Sequence, residues 1–519
     1  MQKTFKVLSL TLAAATALSS ISVLAATSHY ADSTAIRSSQ DWNQWTQDWN
    51  SVAADYTGVA MSPGRNETEL NFDWMTPTDS ANNAAVVYFG TSADNMQKYT
   101  GTVNSTDSRY TGGSYVSNKV TVTGLSPNTT YYYEVEKNGV RTGVQTYTTR
   151  DFHDVKMLYV GDPQIGASKG QPQNGEKLVN TSGVSNTAAR NDGFSWNRTL
   201  NIASAQTPDL SFIISAGDQV NKTGKAKEEE FAAYLYPDAL KKLPVATTIG
   251  NHDSLTSDYS AHFNVPNETN EGRTEAGGDY YYSYGDGLFI VLNTNNYNVA
   301  EHKAAMEQAI ASDPDAQWRV VTIHQDIYGS GLDHSETDGK ILRTQLTPLF
   351  DQFDIDVCLQ GHDHTYSRSK LLYGDGQTHH NYKFQLNSTK DDYDWDHAYD
   401  TYLDTNILLN PAADDAAGQK QLQKFNEDTH CYTINEIAGN SVTDPEGTLY
   451  MTANSATGSK YYELNTTQQD YIAARSQNWL PSYSVIEMTP DTFRINTYQI
   501  TDDSQVQPLD SEFTITKTR

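Results

Sequence analysis

The chain has 519 residues, and its 64 Asp and Glu residues against 36 Lys and Arg residues give a formal net charge of −28. This length is sufficient for two or three domains with a sizeable core, and an aromatic content of 11% excludes a disordered acidic tail. So acidic a surface repels phosphate backbones, which disfavours general nucleic-acid binding. A phosphorylated substrate would therefore need local positive charge, either from a few basic side chains or from bound metal.

The first 25 residues are typical of a secretory signal peptide. Two lysines precede an apolar run from Val7 to Leu24, and a small residue, Ala25, stands at the expected cleavage site. A membrane anchor is the alternative, but the run is at the short limit for spanning and contains four serines and two threonines. We therefore expect an exported protein, extracellular or periplasmic, with no membrane span.

The chain contains two cysteines, Cys358 and Cys431, so a disulfide-built scaffold is excluded. Cys358 lies in the apolar, strand-like run 355–359. We expect it to be a buried free thiol, with half of a disulfide bridge as the alternative.

Residues 26–150 divide into two segments of different composition. Residues 26–55 form a lead-in segment rich in tryptophan and amphipathic in pattern, which we expect to pack on the body of the protein. Residues 56–150 contain short β-branched or aromatic runs separated by Gly, Pro, Asn and Asp, the pattern of an all-β sandwich. These runs are Glu69–Met75, Ala85–Gly90, Lys119–Thr123, Tyr131–Lys137 and Gln145–Thr149. The stretch 125–135, Leu-Ser-Pro-Asn-Thr-Thr-Tyr-Tyr-Tyr-Glu-Val, resembles the E–F turn of fibronectin type III-like domains.

After Arg150 the pattern becomes that of an α/β domain, in which apolar strand runs alternate with helical stretches. Five of these runs end in polar residues that are able to bind a metal. Those residues are Asp162, Asp218, Asn251-His252-Asp253, His324 and His362-Asp363-His364. In open α/β sheets, ligands bind beyond the carboxyl ends of the strands, which is where all five sets fall.

These residues form a set of oxygen and nitrogen ligands that suits Zn, Mn, Fe or Mg better than a metal preferring thiolate. Two ions that share a bridging carboxylate would use such a set well. Taken singly, each motif has an ordinary alternative, such as a helix cap, a turn or a surface pair. The five motifs occur together and in order, each after a buried strand, which makes coincidence a poor explanation.

The order of these motifs resembles that of the calcineurin-like metallophosphoesterases, and within them the purple acid phosphatases. The last motif continues to Tyr366 and Arg368 as in those enzymes, which also place a fibronectin type III-like domain before the catalytic one. The resemblance covers about 56–519 and leaves 372–445 as an unmatched insertion. It implies an all-β sandwich followed by a four-layer α/β/β/α metallophosphoesterase domain over 151–519.

The resemblance also implies roles for individual residues. Asp162, Asp218 and His364 would hold a first metal, and Asp218, Asn251, His324 and His362 a second, with Asp218 as the bridge. His252 would donate a proton to the leaving group and would be oriented by Asp253, while a metal-bound hydroxide attacks phosphorus. Asn251 would also contact substrate. His334 would face substrate, or else be an exposed loop residue, and Arg368 would contact phosphate or pair with a carboxylate.

Two positions depart from the family pattern. Gln164 stands where many relatives have a histidine, so it would ligate through its carbonyl, bond a bound water, or leave the first site looser. Asn221 stands where purple acid phosphatases carry the tyrosine that colours their ferric iron, so we expect a protein that is not purple. The expected cofactors are two divalent or mixed-valence ions of Zn, Mn or Fe.

The resulting functional hypothesis is a secreted hydrolase of phosphoric ester bonds that acts on a small phosphorylated substrate, most simply a phosphate monoester. A phosphodiesterase or nucleotide-cleaving enzyme would use the same centre. A third hypothesis is a degenerate protein whose fibronectin-like domain contacts a polymer or surface. The acidic segment 391–396 is interpreted as a solvated insert, with a calcium site or an active-site lid as alternatives.

Overall fold

The computed structural model describes residues 26–27, 39–78, 84–168 and 186–518. The predicted signal peptide, residues 1–25, lies outside the described residues. Among the helices in the described part of the chain, none is both long and apolar enough to cross a membrane.

A tryptophan-bearing helix precedes the first domain. Strand β1 (Ala26–Thr27) and helix α1 (Gln40–Val52) are the elements of this segment. The helix begins where the Ser39 hydroxyl accepts a hydrogen bond from the Trp42 amide at 3.1 Å, an N-cap that satisfies one free backbone donor. Trp42, Trp45 and Trp49 share one helical face and are buried in the core of the larger domain that follows the sandwich.

The next residues form a β-sandwich, as the sequence predicts. Its elements are β2 (Val59–Pro63), β3 (Glu69–Pro77), β4 (Val86–Gly90), β5 (Gln97–Thr100), β6 (Thr102–Ser105), α2 (Ser108–Thr111), β7 (Tyr115–Thr123), β8 (Thr130–Lys137), β9 (Val140–Arg141) and β10 (Gln145–Thr148). One sheet has the strand order β2-β3-β7-β6, and the other has the order β10-β8-β4-β5 with β9 beside β8. Alternate side chains of the two sheets, among them Phe72, Val87 and Tyr133, fill the space between them.

Two stacked sheets with helices on both outer faces form the larger domain. Its strands are β11 (Val155–Val160), β12 (Phe212–Ser215), β13 (Val245–Thr247), β14 (Tyr280–Tyr284), β15 (Gly287–Val291), β16 (Trp318–Thr322), β17 (Val357–Gln360), β18 (Tyr366–Gly374), β19 (Tyr382–Lys383), β20 (His397–Asp400), β21 (Thr405–Leu408), β22 (Tyr432–Asn435), β23 (Ser441–Thr443), β24 (Thr448–Thr452), β25 (Lys460–Tyr461), β26 (Ile472–Ser476), β27 (Ser482–Met488), β28 (Thr492–Ile500), β29 (Val506–Pro508) and β30 (Phe513–Thr516). Its helices are α3 (Thr187–Gln206), α4 (Glu228–Leu235), α5 (Asn251–Ser254), α6 (Asp258–His262), α7 (Val299–Ser312), α8 (Arg343–Gln352) and α9 (Ala416–Thr429), with 3₁₀ turns at Asp238–Lys241 and Asp338–Lys340.

The first large sheet has the order β13-β12-β11-β27-β28-β30-β23, and the second has the order β14-β15-β16-β17-β24-β18-β22. Successive side chains of a strand point to opposite faces, so each sheet faces two cores. In β16, Val320 packs between the sheets, whereas Val321 packs against helices α7 and α8. In β11, Met157 faces the second sheet, whereas Leu158 faces α3 and α4. The four-layer α/β/β/α expectation is therefore confirmed.

The parallel strands of both sheets deliver the predicted ligands to one place. Strands β11, β12 and β13 run parallel in the first sheet, and β15, β16, β17 and β24 run parallel in the second. Parallel neighbours end at the same edge of a sheet, so the loops that follow these strands meet.

The sandwich is joined to the loop after α6 by side chains that bond backbone. Asn71 donates to the carbonyl of Asn264 at 2.9 Å, and the Lys119 ammonium donates to the carbonyl of Phe263 at 2.8 Å. The Asn264 amide in turn donates to carbonyls of β3 and β7. These bonds fix the sandwich against the larger domain.

The insertion 372–445 is part of the domain rather than an appendage. It contains the small sheet β19-β20-β21 and helix α9, but its strands β22 and β23 join the second and first large sheets respectively. Cys358 on β17 and Cys431 just before β22 are both buried free thiols, so the free-thiol expectation for Cys358 is confirmed.

Trp45 provides a test of how α1 supports the domain. Its indole nitrogen donates to the carbonyl of Arg190 at 2.7 Å, and its ring is 4% exposed. We expect Trp45→Ala to lower the free energy of unfolding by about 3–5 kcal/mol, because it leaves a cavity and an unpaired carbonyl. Urea unfolding measures this, with exposed Gln47→Ala as control, for which a change under about 0.5 kcal/mol is expected. Equal midpoints for both variants would contradict a supporting role for the helix.

Candidate metal centre

The loops that follow the strands carry an unusual backbone. Five of the predicted metal-binding residues have a left-handed conformation, with φ values of 45° at Asp162, 37° at Gln164, 50° at Asp218, 71° at His362 and 46° at His364. A residue other than glycine in this region costs about 1–3 kcal/mol. Concentration of this strain at one place is typical of a functional site, and here it turns several side chains toward a common point.

Glycines precede these residues because the loops approach one another closely. A Cβ atom at Gly250 would lie 2.0 Å from Oδ1 of Asp218, and one at Gly217 would lie 2.5 Å from Nδ1 of His324. Both distances are far below contact distance, so any larger residue would displace a ligand. The Gly-Asp and Gly-Asn pairs of the sequence therefore reflect packing around the site.

The predicted ligand atoms lie at the spacing that a shared ion requires. His324 Nε2 is 2.9 Å from Asn251 Oδ1 and 3.5 Å from Asp218 Oδ1. His364 Nε2 is 3.6 Å from Asp162 Oδ1. Two donors that are each about 2.1 Å from one ion are separated by roughly 3.0–3.4 Å in octahedral or tetrahedral geometry. The structure thus brings Asp162 with His364, and Asp218 with Asn251 and His324, within range of common ions.

Backbone carbonyls orient two of the imidazoles. Nδ1–H of His324 donates to the carbonyl of Ala216 at 2.9 Å, and Nδ1–H of His364 donates to the carbonyl of Lys460 at 2.7 Å. Each bond leaves Nε2 as the unprotonated nitrogen, which is the form that binds a metal.

The electrostatics of the site also favour a cation. Burial raises the pKa of both Asp162 and Asp218, and the negative charge of Asp218 raises the pKa of Asp162 further. Burial lowers the pKa of His324 to about 4, which keeps the imidazole neutral and able to coordinate. Buried carboxylates are stabilised by a bound cation, whose binding also displaces their protons.

Gln164 has an unused acceptor in this environment. The residue is 1% exposed, and its Oε1 atom is buried without a hydrogen-bond partner. A buried carbonyl without a partner is costly, and a metal ion or a water bound to one would satisfy it. The ligand atoms of Asp162, Asp218 and His324 all lie within 4.8 Å of one another. Together with Gln164 Oε1, they form a set of oxygen and nitrogen donors that fits divalent cations.

His362 lies between the predicted second metal site and a residue that sequence reasoning missed. Its amide donates to Asp162 Oδ2 at 3.0 Å, and its ring centroid is 4.9 Å from that of His324. On its other side, His362 Nε2 lies 3.1 Å from Asp338 Oδ2. Asp338 is 1% exposed, so it is a fully buried carboxylate beside the centre.

His334 is part of the site rather than an exposed loop residue. It is 8% exposed, its ring centroid is 3.9 Å from that of His362, and its Nδ1 is 2.9 Å from Asp338 Oδ1. Although burial opposes protonation, the Asp338 carboxylate raises the pKa of His334 to about 8. Asp338 follows His334 by four residues across a tight turn in which the Gly339 amide donates to the His334 carbonyl at 3.0 Å, and this short spacing is the one local signal that could have pointed to the pair.

The predicted proton donor, His252, lies at the edge of the ligand cluster. Its amide donates to Asp218 Oδ1 at 2.9 Å, and its Nε2 lies 3.9 Å from Asp218 Oδ2. Nδ1 contacts the carbonyl of Asn221 and lies 3.0 Å from the Thr223 hydroxyl. These contacts leave Nε2 directed toward the centre.

Asp253 has a different set of partners from the one that the resemblance implies. Its Oδ2 accepts hydrogen bonds from the Gly250 amide at 3.0 Å and from the Gln219 side chain at 2.8 Å. The contacts that orient the His252 ring come from Asn221 and Thr223, whereas Asp253 braces the loop that carries His252.

The structure decides between the two alternatives for Arg368 and adds basic residues that the sequence did not single out. Arg368, for which phosphate contact and a carboxylate pair were both considered, donates to Asp510 at 2.8 Å and lies over the ring of Phe513. Two lysines lie beside the centre, Lys460 and Lys227, and the Lys227 ammonium donates to the carbonyl of His252 at 2.7 Å. Burial lowers the pKa of His252 to about 3, and the positive charges of both lysines lower it in the same direction. The Lys460 ammonium lies 4.6 Å from the ring centroid of Tyr462.

Comparison with known proteins agrees with this geometry. Residues 56–151 match the family model of the purple acid phosphatase N-terminal domain, and residues 156–366 match that of the calcineurin-like phosphoesterases. Together the two matches span more than half of the sequence. Residues 156–366 are thus similar to the calcineurin-like phosphoesterases.

The relatives of the chain are distant. An uncharacterized protein of Mycobacterium tuberculosis is 23% identical over 353 residues, 61% of this chain and 63% of the relative. Purple acid phosphatase 23 of Arabidopsis thaliana is 23% identical over 284 residues, 51% of this chain and 59% of the relative. The match thus spans less than two thirds of these relatives. The purple acid phosphatase PPD1 from yellow lupin (Lupinus luteus) seeds shares the fold, with a TM-score of 0.57 at 15% identity, over 89% of this chain and 74% of that one.

Asp218 provides a direct test of metal binding at the candidate centre. We expect Asp218→Asn to weaken metal affinity at least about 100-fold, since loss of an outer-shell contact alone costs about 10–100-fold. Equilibrium dialysis followed by elemental analysis measures the bound ions. Asp315→Asn, at an exposed position, is the matched control and should bind metal as the wild type does. Unchanged metal content in Asp218→Asn would contradict the predicted centre.

Asn221 generates a spectroscopic prediction. This residue, three positions after Asp218, offers an amide side chain where a tyrosinate would be needed to colour ferric iron. We expect the iron-loaded protein to lack an intense visible absorption band. The spectrum is recorded on a sample whose iron content is measured, so that an absent band reflects the ligands and not absent iron. A strong band at full iron loading would show that another residue supplies a coloured ligand.

Proposed function

We propose that the protein is a secreted, metal-dependent phosphoesterase that hydrolyses phosphate monoesters at a centre of two metal ions. The observation that supports this most is the convergence of carboxylate, amide and imidazole donors from loops of both sheets, with His252 beside them. The pattern of residues 1–25 supports export.

The predicted first ion would be held by Asp162, Asp218 and His364, with the carbonyl of Gln164 available to it. The predicted second ion would be held by Asp218, Asn251, His324 and His362. Such ions lower the pKa of a coordinated water and neutralise negative charge on a phosphoryl group. Zn, Mn and Fe all suit this mixture of oxygen and nitrogen ligands.

His252 is suited to move a proton at the reacting ester. Its Nδ1 faces the Asn221 carbonyl, which is only an acceptor, so Nδ1 carries a proton and Nε2 faces the centre. The negative charge of a bound phosphoryl group favours the imidazolium and raises the pKa of His252. Nε2–H can then donate to the oxygen of the departing alcohol.

The charges around the site favour a monoester over a diester. A monoester brings up to two negative charges to the centre and a diester brings one. Lys460 and Lys227, whose ammonium donates to the carbonyl of His252 at 2.7 Å, add positive charge to that of the ions. The charge of the His334 imidazolium is balanced by the Asp338 carboxylate. A diesterase or nucleotide-cleaving activity would use the same donors, and the experiment below separates the two.

The test is hydrolysis of a chromogenic phosphate monoester beside the matching diester. Mature protein is stripped of metal and then reloaded separately with Zn, Mn, Fe and Mg. Turnover of the monoester that returns only with metal supports the proposal, and faster turnover of the diester would replace it with a diesterase. Binding of two ions without turnover of either ester would contradict both.

His252→Ala separates proton transfer from metal binding. Since His252 is not a predicted ligand, the variant should keep its metal content. We expect kcat on alkyl phosphates, whose leaving groups need protonation, to fall about 10²–10⁴-fold, with a smaller loss on nitrophenyl phosphate. Exposed His153→Ala is the matched control and should retain wild-type kinetics. An equal loss on both kinds of ester would refute the proton-donor role.

A further inference from the structure

The acidic segment 391–396 lies beside the candidate metal centre, which corrects the expectation of a solvated insert. Tyr393 is 7% exposed, and its hydroxyl lies 2.9 Å from that of Ser254, two residues after His252. The backbone of Asp391 approaches Gly224, in the loop that carries the contacts of His252. The segment is therefore fixed to two elements that hold the predicted proton donor. It also lies outside the residues 156–366 that the family model matches.

Trp395 forms one wall of the site. Its ring centroid is 5.3 Å from that of His362 at an interplanar angle of 51°, and 5.9 Å from that of His334 at 76°. Behind it, Tyr393 at 5.1 Å and Phe384 at 6.0 Å brace the indole. The indole is only partly buried, in contrast to the two histidines that it contacts, which are 3% and 8% exposed.

Tyr462 forms a second wall. Its ring centroid is 5.3 Å from that of His334 and 5.2 Å from that of His364. His334 thus contacts both aromatic rings, and the Lys460 ammonium lies over the Tyr462 ring. A cluster of charged donors bordered by aromatic walls is suited to a ligand with an anionic end and a flat apolar end.

We infer that Trp395 is a specificity-determining residue that binds the leaving group of phosphate monoesters with an aromatic alcohol. The inference rests on the proposed function and names the substrate class for it. The phosphoryl group would bind at the carboxylate and imidazole donors, and the leaving alcohol would lie next to His252, its proposed proton donor. Because Tyr393 ties the segment to Ser254 on that side, an aromatic leaving group would lie against the indole of Trp395.

The experiment compares Trp395→Ala and Trp395→Phe with the wild-type, metal-loaded protein on phenyl phosphate and ethyl phosphate. We expect Trp395→Ala to raise KM for phenyl phosphate about tenfold, as is typical when an aromatic stacking partner is lost, with little change in kcat. The KM for ethyl phosphate should rise much less, and Trp395→Phe should restore most of the preference for phenyl phosphate. Tyr402→Ala, an aromatic residue of the same insertion that is 76% exposed, is the matched control.

A binding measurement separates failure of this inference from failure of the proposed function. Titration calorimetry with phenylphosphonate and methylphosphonate, neither of which is hydrolysed as an ester, reports on the aromatic contact alone. Weaker binding of phenylphosphonate only, in a Trp395→Ala protein with the wild-type melting temperature, supports the inference even if no ester is turned over. Equal weakening of both phosphonates, or equal rises in KM for both esters, would overturn it.

Discussion

Two buried carboxylates, Asp162 and Asp218, are the constraint on which the rest of the structure depends. Both are at most 1% exposed, and neither forms an ion pair with a Lys or Arg side chain in the part of the chain that the structure describes. Negative charge in such a place is expensive unless a cation compensates it. Several donors can face these two carboxylates only because five predicted ligands adopt a left-handed backbone, which is strained, and because glycines beside them allow the loops to approach closely.

The two-sheet architecture is what allows the site to exist. The carboxylates and Asn251 come from the first sheet, whereas His324, His362 and His364 come from the second. Neither sheet alone holds a complete donor set, so the packing between the sheets fixes the distances between ligands. The sandwich and α1 pack on the outside of the two sheets, where α1 covers helices α3 and α4. Precise ligand placement thus depends on cores that lie well away from the chemistry.

The local part of this organisation could be predicted from the sequence, and the long-range part could not. Strands that end in Gly-Asp or Gly-Asn can be recognised from the sequence, because both the apolar run of the strand and the glycine that ends it are properties of a few consecutive residues. The pairing of Arg368 with Asp510 joins residues 142 positions apart, and no local pattern distinguishes it from a contact with phosphate. Lys460 and Trp395 were missed for the same reason, since their places in the site depend on how the insertion and the last strands fold back.

The acidic segment 391–396 shows that the exposure predicted from composition can be wrong where packing determines which side chains are buried. Its charge favours solvent exposure, yet it alternates acidic residues with Tyr393 and Trp395, and the structure turns both rings inward. The aspartates then remain at the rim, and one of them, Asp392, adds negative potential near Asp218, whose pKa burial already raises. These acidic residues around an anion-binding centre repel substrates that carry a second negative charge at the end away from the phosphate. A monoester with a neutral aromatic alcohol places its charge at the metals and its apolar face against Trp395, and so avoids that repulsion.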